Sequence, residues 1–233
     1  MLKALIDIVF PPMCLLCGER SPEKGFCDGC GGLVEKERIR PPLCIVCGTP
    51  FPSAKGVDHA CGRCVEEPPS FTSARSAFVF EGKVLEAVHK LKYGGDTALA
   101  GPLASLLSAA HLPEGLSMVV PVPLHPARLK ERGFNQSLLI ARELSRNYGL
   151  SLVYDRLKRA RDTGQQVGLK AAERKKNVSG AFTLDGGSFF KGRKVLLVDD
   201  VTTTGATLNE CAKVLKKAGA EVIAITVARA VKL

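Results

Sequence analysis

The most constraining feature of this 233-residue chain is the placement of its cysteines. Eight of nine fall in the first 64 residues, as four repeats of Cys-x2-Cys. The pairs are Cys14 and Cys17, Cys27 and Cys30, Cys44 and Cys47, and Cys61 and Cys64. One such pair can turn both thiolates onto a single tetrahedral ion, and a second pair completes the coordination. The spacing therefore predicts two four-cysteine metal sites.

The spacing favours zinc over iron–sulfur clusters, because four equal pairs match zinc ribbons and not the cysteine runs of ferredoxins. Disulfides are disfavoured, since cysteines three apart are poorly placed for them and the chain shows no secretion signal. The simplest arrangement takes the pairs consecutively, Cys14 to Cys30 and Cys44 to Cys64. Spacing alone leaves a cross-braced arrangement open. His59 is a candidate replacement ligand, although a surface histidine is the simpler interpretation.

These sites are expected to be structural, because four protein ligands leave no open position for water or substrate. About 65 residues rich in Gly, Pro and charge bury too little apolar area to fold alone, so the metal would supply much of the folding free energy. Residues 1–68 hold 8 Lys and Arg against 9 Asp and Glu. This segment is therefore predicted to be a docking or architectural module and not a nucleic-acid clamp.

Positive charge is concentrated elsewhere. The window from Pro123 to Lys194 holds 16 Lys and Arg against 6 Asp and Glu, and the chain has a formal net charge of +10. A phosphate-rich partner is the natural inference, whether a polyphosphorylated small molecule or a nucleic-acid backbone. A solvated basic surface is the alternative.

After Pro68 and Pro69 the sequence alternates apolar runs with helical patterns, which predicts a mostly parallel sheet with helices on both faces. The expected boundary divides a ribbon domain at 1–68 from an α/β domain at 69–233. Expected strands are Ser76–Phe80, Ser117–Val122, Ala181–Leu184, Lys194–Asp199 and Glu221–Val227. Expected helices are Lys83–Lys92, Thr97–His111, Asn135–Tyr148 and Gly205–Ala218.

The amino terminus carries a short apolar segment, Leu2 to Phe10, interrupted by Lys3 and Asp7. It is too short and too charged to cross a membrane, for which about 20 apolar residues are needed. The segment is predicted to be a short helix docked on the body. We expect a cytoplasmic protein with no membrane insertion.

The strongest motif runs from Val195 to Thr207, VLLVDDVTTTGAT. An apolar strand ends in Asp199 and Asp200, and a Thr-rich turn then opens a helix. The carboxyl end of a parallel strand is where open α/β sheets bind ligands, and a helix N-terminus favours anions. A sugar phosphate satisfies both parts, with its phosphate on the turn and its ribose hydroxyls or Mg²⁺ on the carboxylates. Helix capping alone would need only one such residue.

This motif resembles the 5-phosphoribosyl 1-pyrophosphate (PRPP) signature of type I phosphoribosyltransferases. The chain as a whole resembles the ComF family, which joins a double zinc ribbon to such a domain. The resemblance also rests on Leu91–Asp96, Pro121–Arg128, Arg132–Gln136 and Arg161–Asn177. It implies a type I phosphoribosyltransferase-like α/β fold preceded by a small double zinc ribbon.

The resemblance also implies roles for individual residues. Asp199 and Asp200 would hold the ribose and Mg²⁺ as the catalytic pair, and Pro123–Arg128 would form the pyrophosphate loop. A mobile flap would span Lys158–Asn177. The 5′-phosphate would be bound by Thr202, Thr203, Thr204, Gly205, Ala206 and Thr207. Pyrophosphate oxygens would be bound by Arg128, Arg132, Arg161 and Arg174.

Three other residues are ambiguous in the sequence. His125 is a candidate acid or base but is equally well explained as a turn residue. Lys92 is explained by a helix face, and Cys211 by burial on the helix after the loop.

The resemblance leaves two classes of function open. One is Mg-dependent transfer from PRPP to a nitrogen nucleophile, associated with DNA uptake and natural transformation. The other is non-catalytic, namely handling of single-stranded DNA or service as a partner of a DNA-uptake helicase. The sequence weakens a pure DNA-binding role, because aromatics total 6% and Trp is absent. Type I domains often pair, so a homodimer is also expected.

Overall fold

The computed structural model describes residues 11–21, 25–53, 55–108, 112–163 and 171–231, without the side chains of 108, 171, 172 and 174. The strands are β1 Ser73–Val79, β2 Leu116–Pro121, β3 Ser151–Leu152, β4 Leu157–Arg159, β5 Phe182–Leu184, β6 Lys194–Thr202 and β7 Glu221–Arg229. The helices are α1 Asp28–Lys36, α2 Gly62–Glu66, α3 Gly82–Tyr93, α4 Ala100–Ser108, α5 Pro126–Arg132, α6 Gln136–Tyr148, α7 Ala171–Val178 and α8 Ala206–Lys217. The segment expected to form an amino-terminal helix lies outside the described residues.

Five strands form one parallel sheet in the order β1-β7-β6-β2-β3. Along β6, side chains alternate between two apolar cores. Leu196 and Val198 pack with helices α3, α4 and α6 on one face, whereas Val195 and Leu197 pack with α8 on the other. A parallel strand covered on both faces is expected to be apolar throughout, as the run before Asp199 is. The predicted fold class is confirmed.

Two predicted elements differ from the structure. The strand expected at Ala181–Leu184 lies outside the parallel sheet, since Phe182–Leu184 pairs antiparallel with Leu157–Arg159. The helix expected from Thr97 begins with a 3-10 turn, and its α-helical part starts at Ala100. Pro102 then falls in the first α-helical turn, where its missing N–H costs no hydrogen bond.

The cysteine-rich segment packs along the outer edge of the sheet. Ile39 N donates to Ala77 O at 2.9 Å, Val79 N donates to the Glu37 carbonyl at 2.8 Å, and Ala74 N donates to Val46 O at 2.7 Å. These bonds satisfy backbone groups of β1 that an edge strand would otherwise expose.

The segment also caps a helix of the α/β domain. The Glu37 carboxylate accepts hydrogen bonds from the backbone N–H groups of Lys83 and Val84, each at 2.8 Å, at the start of α3. A carboxylate at a helix N-terminus satisfies amides that have no intrahelical partner and interacts favourably with the helix dipole. The ribbon therefore supplies the N-terminal cap of α3. None of the helices in the described ranges has the length and apolar character of a membrane-spanning helix.

Candidate functional site

The eight amino-terminal cysteines form two clusters, Cys14, Cys17, Cys27 and Cys30, and Cys44, Cys47, Cys61 and Cys64. Within each cluster all four sulfur atoms lie within 4.8 Å of one another. Four thiols gathered in this way fit a tetrahedral zinc ion. The consecutive arrangement is therefore the one adopted. His59 belongs to neither cluster; its ring stacks on Phe51 with centroids 4.1 Å apart.

Asp199 and Asp200 lie near the carboxyl end of β6, at the base of a cleft of about 450 Å³. Both side chains are buried, with 8% and 3% of each residue exposed. The lining residues are Lys92, Tyr93, Gly95, Val122, Pro123, Leu124, Arg128, Glu131, Arg132, Phe134, Gln136, Ser137, Arg159, Asp162, Asp199, Asp200, Val201 and Thr207. The cleft thus gathers two acids and several cations at the sheet edge where parallel folds bind ligands.

An ion pair connects this acidic pair to helix α3. The Lys92 ammonium lies 2.5 Å from Oδ2 of Asp200, and the two side chains are 17% and 4% exposed. Burial lowers the pKa of Lys92, but the negative charges of Asp200 and Asp199 raise it by more than burial lowers it. The pKa of Lys92 is therefore above its ordinary value. Lys92 is therefore a charged counter-ion inside the cleft.

The carboxyl group of Asp199 has a raised pKa. Burial, followed by the neighbouring charge of Asp200, raises its pKa from 3.8 to about 7. Ser137 Oγ donates to Asp199 Oδ1 at 2.8 Å, and Asp200 N donates to the same oxygen at 3.0 Å. These bonds and Lys92 lower the pKa without cancelling the effect of burial. Near neutral pH Asp199 can thus gain or lose a proton.

The predicted phosphate loop, Thr202–Thr207, joins β6 to α8. Gly205 has φ +79°, the left-handed conformation that glycine adopts without strain, and it precedes the first residue of α8. Thr204 Oγ1 accepts from Ala206 N at 3.4 Å. Thr207 lines the acidic cleft, whereas Thr204, Gly205 and Ala206 line a neighbouring cleft of about 600 Å³ that reaches Cys47 and Cys64. The loop therefore separates the acidic pair from the second cysteine cluster.

Only some of the predicted basic ligands line the acidic cleft. Arg128 and Arg132 line the acidic cleft. Arg132 donates to Gln136 Oε1 at 2.6 Å and lies over the Tyr93 ring, 5.3 Å from its centroid. Arg161 instead donates to the carbonyl oxygens of Asn177 at 3.0 Å and Ser179 at 2.6 Å, away from the cleft.

His125 is also not among the lining residues of the cleft. His125 caps helix α5, since its Nδ1 accepts from Ala127 N at 3.4 Å, and the same nitrogen is 3.8 Å from Asp162. This geometry accounts for it as a turn residue. Arg174 lies on α7, and its side chain is outside the described part of the structure.

The predicted flap has more regular structure than its composition indicated. Lys158 and Arg159 belong to strand β4, and Ala171 to Val178 forms helix α7. Residues 164–170, between them, lie outside the described ranges.

Sequence reasoning missed three residues of the cleft, namely Lys92, Ser137 and Arg159. Lys92 had a signal in the Leu91–Asp96 stretch, but its helical position explained it equally well. Arg159 stood in a basic run beside Arg161, and only the pairing of β4 with β5 distinguishes the two. Ser137 lies two residues after the N-cap residue Asn135. No sequence motif indicates that its hydroxyl contacts Asp199.

Comparisons with known proteins match two parts of the chain to known domain families. A double zinc ribbon domain family matches residues 5–65, and a phosphoribosyl transferase domain family matches residues 135–231. Competence protein F of Haemophilus influenzae is 35% identical over 180 residues, which cover 71% of this chain and 76% of that protein. DNA utilization protein YhgH of Salmonella typhimurium is 34% identical over 229 residues, which cover 94% and 96%. Competence protein ComFC of Streptococcus pneumoniae is 28% identical, with coverage of 89% and 95%.

The chain combines two four-cysteine sites with a phosphoribosyl transferase domain, and it matches competence and DNA utilization proteins over most of its length. The chain is therefore a member of the ComF family, with an amino-terminal double zinc ribbon.

Proposed function

We propose that the protein binds PRPP together with Mg²⁺ and acts as a phosphoribosyltransferase-like protein in the use of incoming DNA. The observation that carries the proposal is the pair Asp199 and Asp200 beside the Thr202–Thr207 loop, at the carboxyl end of a central parallel strand. Relatives named for competence and for DNA utilization supply the biological context.

The chain's own groups suit the parts of this ligand. The N-terminus of α8 and the threonine hydroxyls favour a 5′-phosphate, because amides and the helix dipole converge there. Arg128, Arg132 and Arg159 on the cleft wall would bind pyrophosphate oxygens with planar, multiply donating groups. Mg²⁺, which prefers carboxylate and phosphate oxygens, would be held by Asp199 or Asp200 with the ligand and would neutralise the leaving pyrophosphate.

Lys92 must give way for this to happen. It now compensates Asp200, so a ribose hydroxyl or a cation that reaches Asp200 takes over its place. The ammonium would then be free to approach a phosphoryl oxygen in the same cleft. Catalysis in such a site consists of positioning and of electrostatic stabilisation as the sugar carbon becomes cationic.

The test is calorimetric titration of PRPP with Mg²⁺ into zinc-replete protein. Wild-type protein should bind, and Asp199→Asn/Asp200→Asn should not. Asp185→Asn is the matched control, because Asp185 pairs with Lys158 on the exposed surface away from the cleft. Pyrophosphate release on addition of candidate nitrogen acceptors would then separate turnover from binding. Absence of binding by folded wild-type protein would refute the proposal.

One observation favours a second candidate, the binding of single-stranded DNA in support of a partner such as a helicase. Tyr93 is 71% exposed at the mouth of the cleft, with the Arg132 guanidinium over its ring. An exposed aromatic ring beside a cation can stack on a nucleic-acid base. The low aromatic content of the chain had argued against such a stacking site. Tyr93→Ala should then weaken binding of an oligothymidylate, whereas Tyr154→Ala, at a ring 60% exposed elsewhere, should not. Affinity that is insensitive to salt would exclude a phosphate grip.

A further inference from the structure

Arg229, the last residue of β7, is buried between the second cysteine cluster and the phosphate loop. Only 2% of the residue is exposed. Its register partner on the neighbouring strand is Thr202, so it emerges beside the first residue of the loop. Arg229 therefore contacts both the zinc ribbon and the phosphate loop.

On the ribbon side, Arg229 binds the turn that holds Cys47. Its Nη2 donates to the carbonyl oxygen of Cys47, and its Nη1 donates to Thr49 Oγ1 at 3.2 Å. The same Thr49 hydroxyl lies 3.2 Å from the Cys47 sulfur. A four-thiolate zinc site carries a formal charge of about 2−, so the guanidinium also complements the charge of the filled site.

On the loop side, Arg229 Nη1 lies 3.4 Å from the carbonyl oxygen of Thr203 and donates to it. In a trans peptide the carbonyl and the following N–H point in opposite directions, and the peptide after Thr203 is trans. Holding the Thr203 oxygen toward Arg229 therefore turns the N–H of Thr204 away from it. It also keeps a carbonyl dipole from turning toward a bound anion.

We propose that Arg229 is a positioning residue, which couples metal in the second cysteine site to the conformation of the phosphate loop and thereby to its affinity for phosphate. Metal fixes the Cys47 turn, the turn fixes the guanidinium, and the guanidinium fixes the Thr203 peptide. The affinity half of the proposal rests on the proposed phosphate-binding role of the loop. Because coupling is reciprocal, an anion in the loop must also oppose loss of metal from that site.

The chain offers a matched control. Arg75, on β1, donates its Nη2 to the Ile45 carbonyl at 3.0 Å and so holds the same ribbon turn. Its Nη1 donates to the Ala74 carbonyl at 2.8 Å, in its own strand, and not to the phosphate loop. Arg75→Met therefore removes a comparable ribbon contact and leaves the loop contact intact.

The first measurement is amide hydrogen exchange of residues 203–207 in full-length protein without ligand, with metal content checked by elemental analysis. Arg229→Met should raise exchange in this segment even with both metal sites filled, and Arg75→Met should not. Arg229→Lys keeps the positive charge but loses the planar guanidinium, so its exchange should lie between that of wild type and that of Arg229→Met. Cys61→Ser, which removes one ligand of the second site while Arg229 stays, should raise exchange in the same segment. Unchanged exchange in the Arg229 variants overturns the proposal.

The second measurement is equilibrium competition for zinc against a chromophoric chelator, with and without ribose 5-phosphate. The ligand should raise the zinc affinity of one site per chain about fivefold or more in wild type and Arg75→Met, as a coupling of this kind implies. It should have no effect in Arg229→Met. An equal rise in all three overturns the coupling. If wild type does not bind ribose 5-phosphate, phosphate binding by the loop fails, and the exchange result still decides whether Arg229 positions it.

Discussion

Replacing Lys92 with methionine should destabilise the folded protein strongly, in a way that depends on pH. Methionine keeps the length and the apolar stem but removes the ammonium that lies 2.5 Å from Asp200. Removing one partner of a buried ion pair typically costs about 3–5 kcal/mol, because the other charge is left buried without compensation. Lys92 is 17% exposed, so we expect the lower part of this range.

The pH dependence follows from Asp199. Its pKa in the folded protein is about 7 against an ordinary value of 3.8, so folding takes up a proton between these values. Stability from this group is therefore greatest at low pH, falls as pH rises from about 4 to 7, and is constant above. The Lys92 charge lowers the pKa of Asp199, and its removal must raise that pKa further. The cost of Lys92→Met should thus be larger at pH 8 than at pH 5.

Urea unfolding of zinc-replete protein at the two pH values measures this. Lys83→Met is the control, since Lys83 lies on the same helix and pairs with Glu86 at the surface, where the contribution is usually below about 1 kcal/mol. Mg²⁺ should stabilise Lys92→Met more than wild type, because a cation can replace the missing ammonium. Equal costs for the two variants at pH 8, or a cost of Lys92→Met that does not change with pH, would refute the reasoning.

Three further outcomes are expected. Gly48→Ala should cost well over 2 kcal/mol in urea unfolding, because its Cβ would stand 2.4 Å from the Ala74 carbonyl oxygen at φ +68°, whereas Gly18→Ala, at φ +75° in open space, should cost about 1–2 kcal/mol. Glu37→Ala should cost about 1–2 kcal/mol, since it removes the cap of α3, and hydrogen exchange should rise in the first turn of that helix. Asp199→Asn should stabilise the fold by a few kcal/mol at pH 8 and little at pH 4, and the same gain at both values would contradict the raised pKa.

The apolar runs and the VLLVDDVTTTGAT motif predicted most of the sheet, because parallel strands buried on both faces have to be apolar over their whole length. The paired cysteines predicted the metal sites for an equally local reason, since two thiols three residues apart can hold one ion. The antiparallel pair β4 and β5 was not predicted as such, because three residues per strand are too few to show a period.

The cleft was only half predictable. Asp199, Asp200 and the loop lie in one contiguous stretch, so their proximity is local. Lys92 is more than 100 residues from Asp200, and its position depends on how the apolar face of α3 packs against the sheet. Arg161 was predicted as a ligand and Arg159 was not, but Arg161 donates to the backbone carbonyls of Asn177 and Ser179 instead, and Arg159 lines the cleft. Tertiary packing determines which of these side chains reach the cleft, and the spacing of residues in the sequence does not show it.

The position of the ribbon limits how a ligand can approach the acidic cleft. The ribbon lies along β1 and covers the carboxyl end of β7, where Arg229 is buried beneath the Cys47 turn. The acidic cleft therefore opens between α3 and α5, with Tyr93 at its mouth and Arg132 on its wall. If the cleft binds PRPP as proposed, a small acceptor would have to fit with it into about 450 Å³, whereas a DNA strand would lie across Tyr93 with a single nucleotide inserted. An acceptor that enters this way must pass Tyr93, so Tyr93→Ala would affect small acceptors and strands alike, and only competition between the two can tell which one the cleft is shaped to hold.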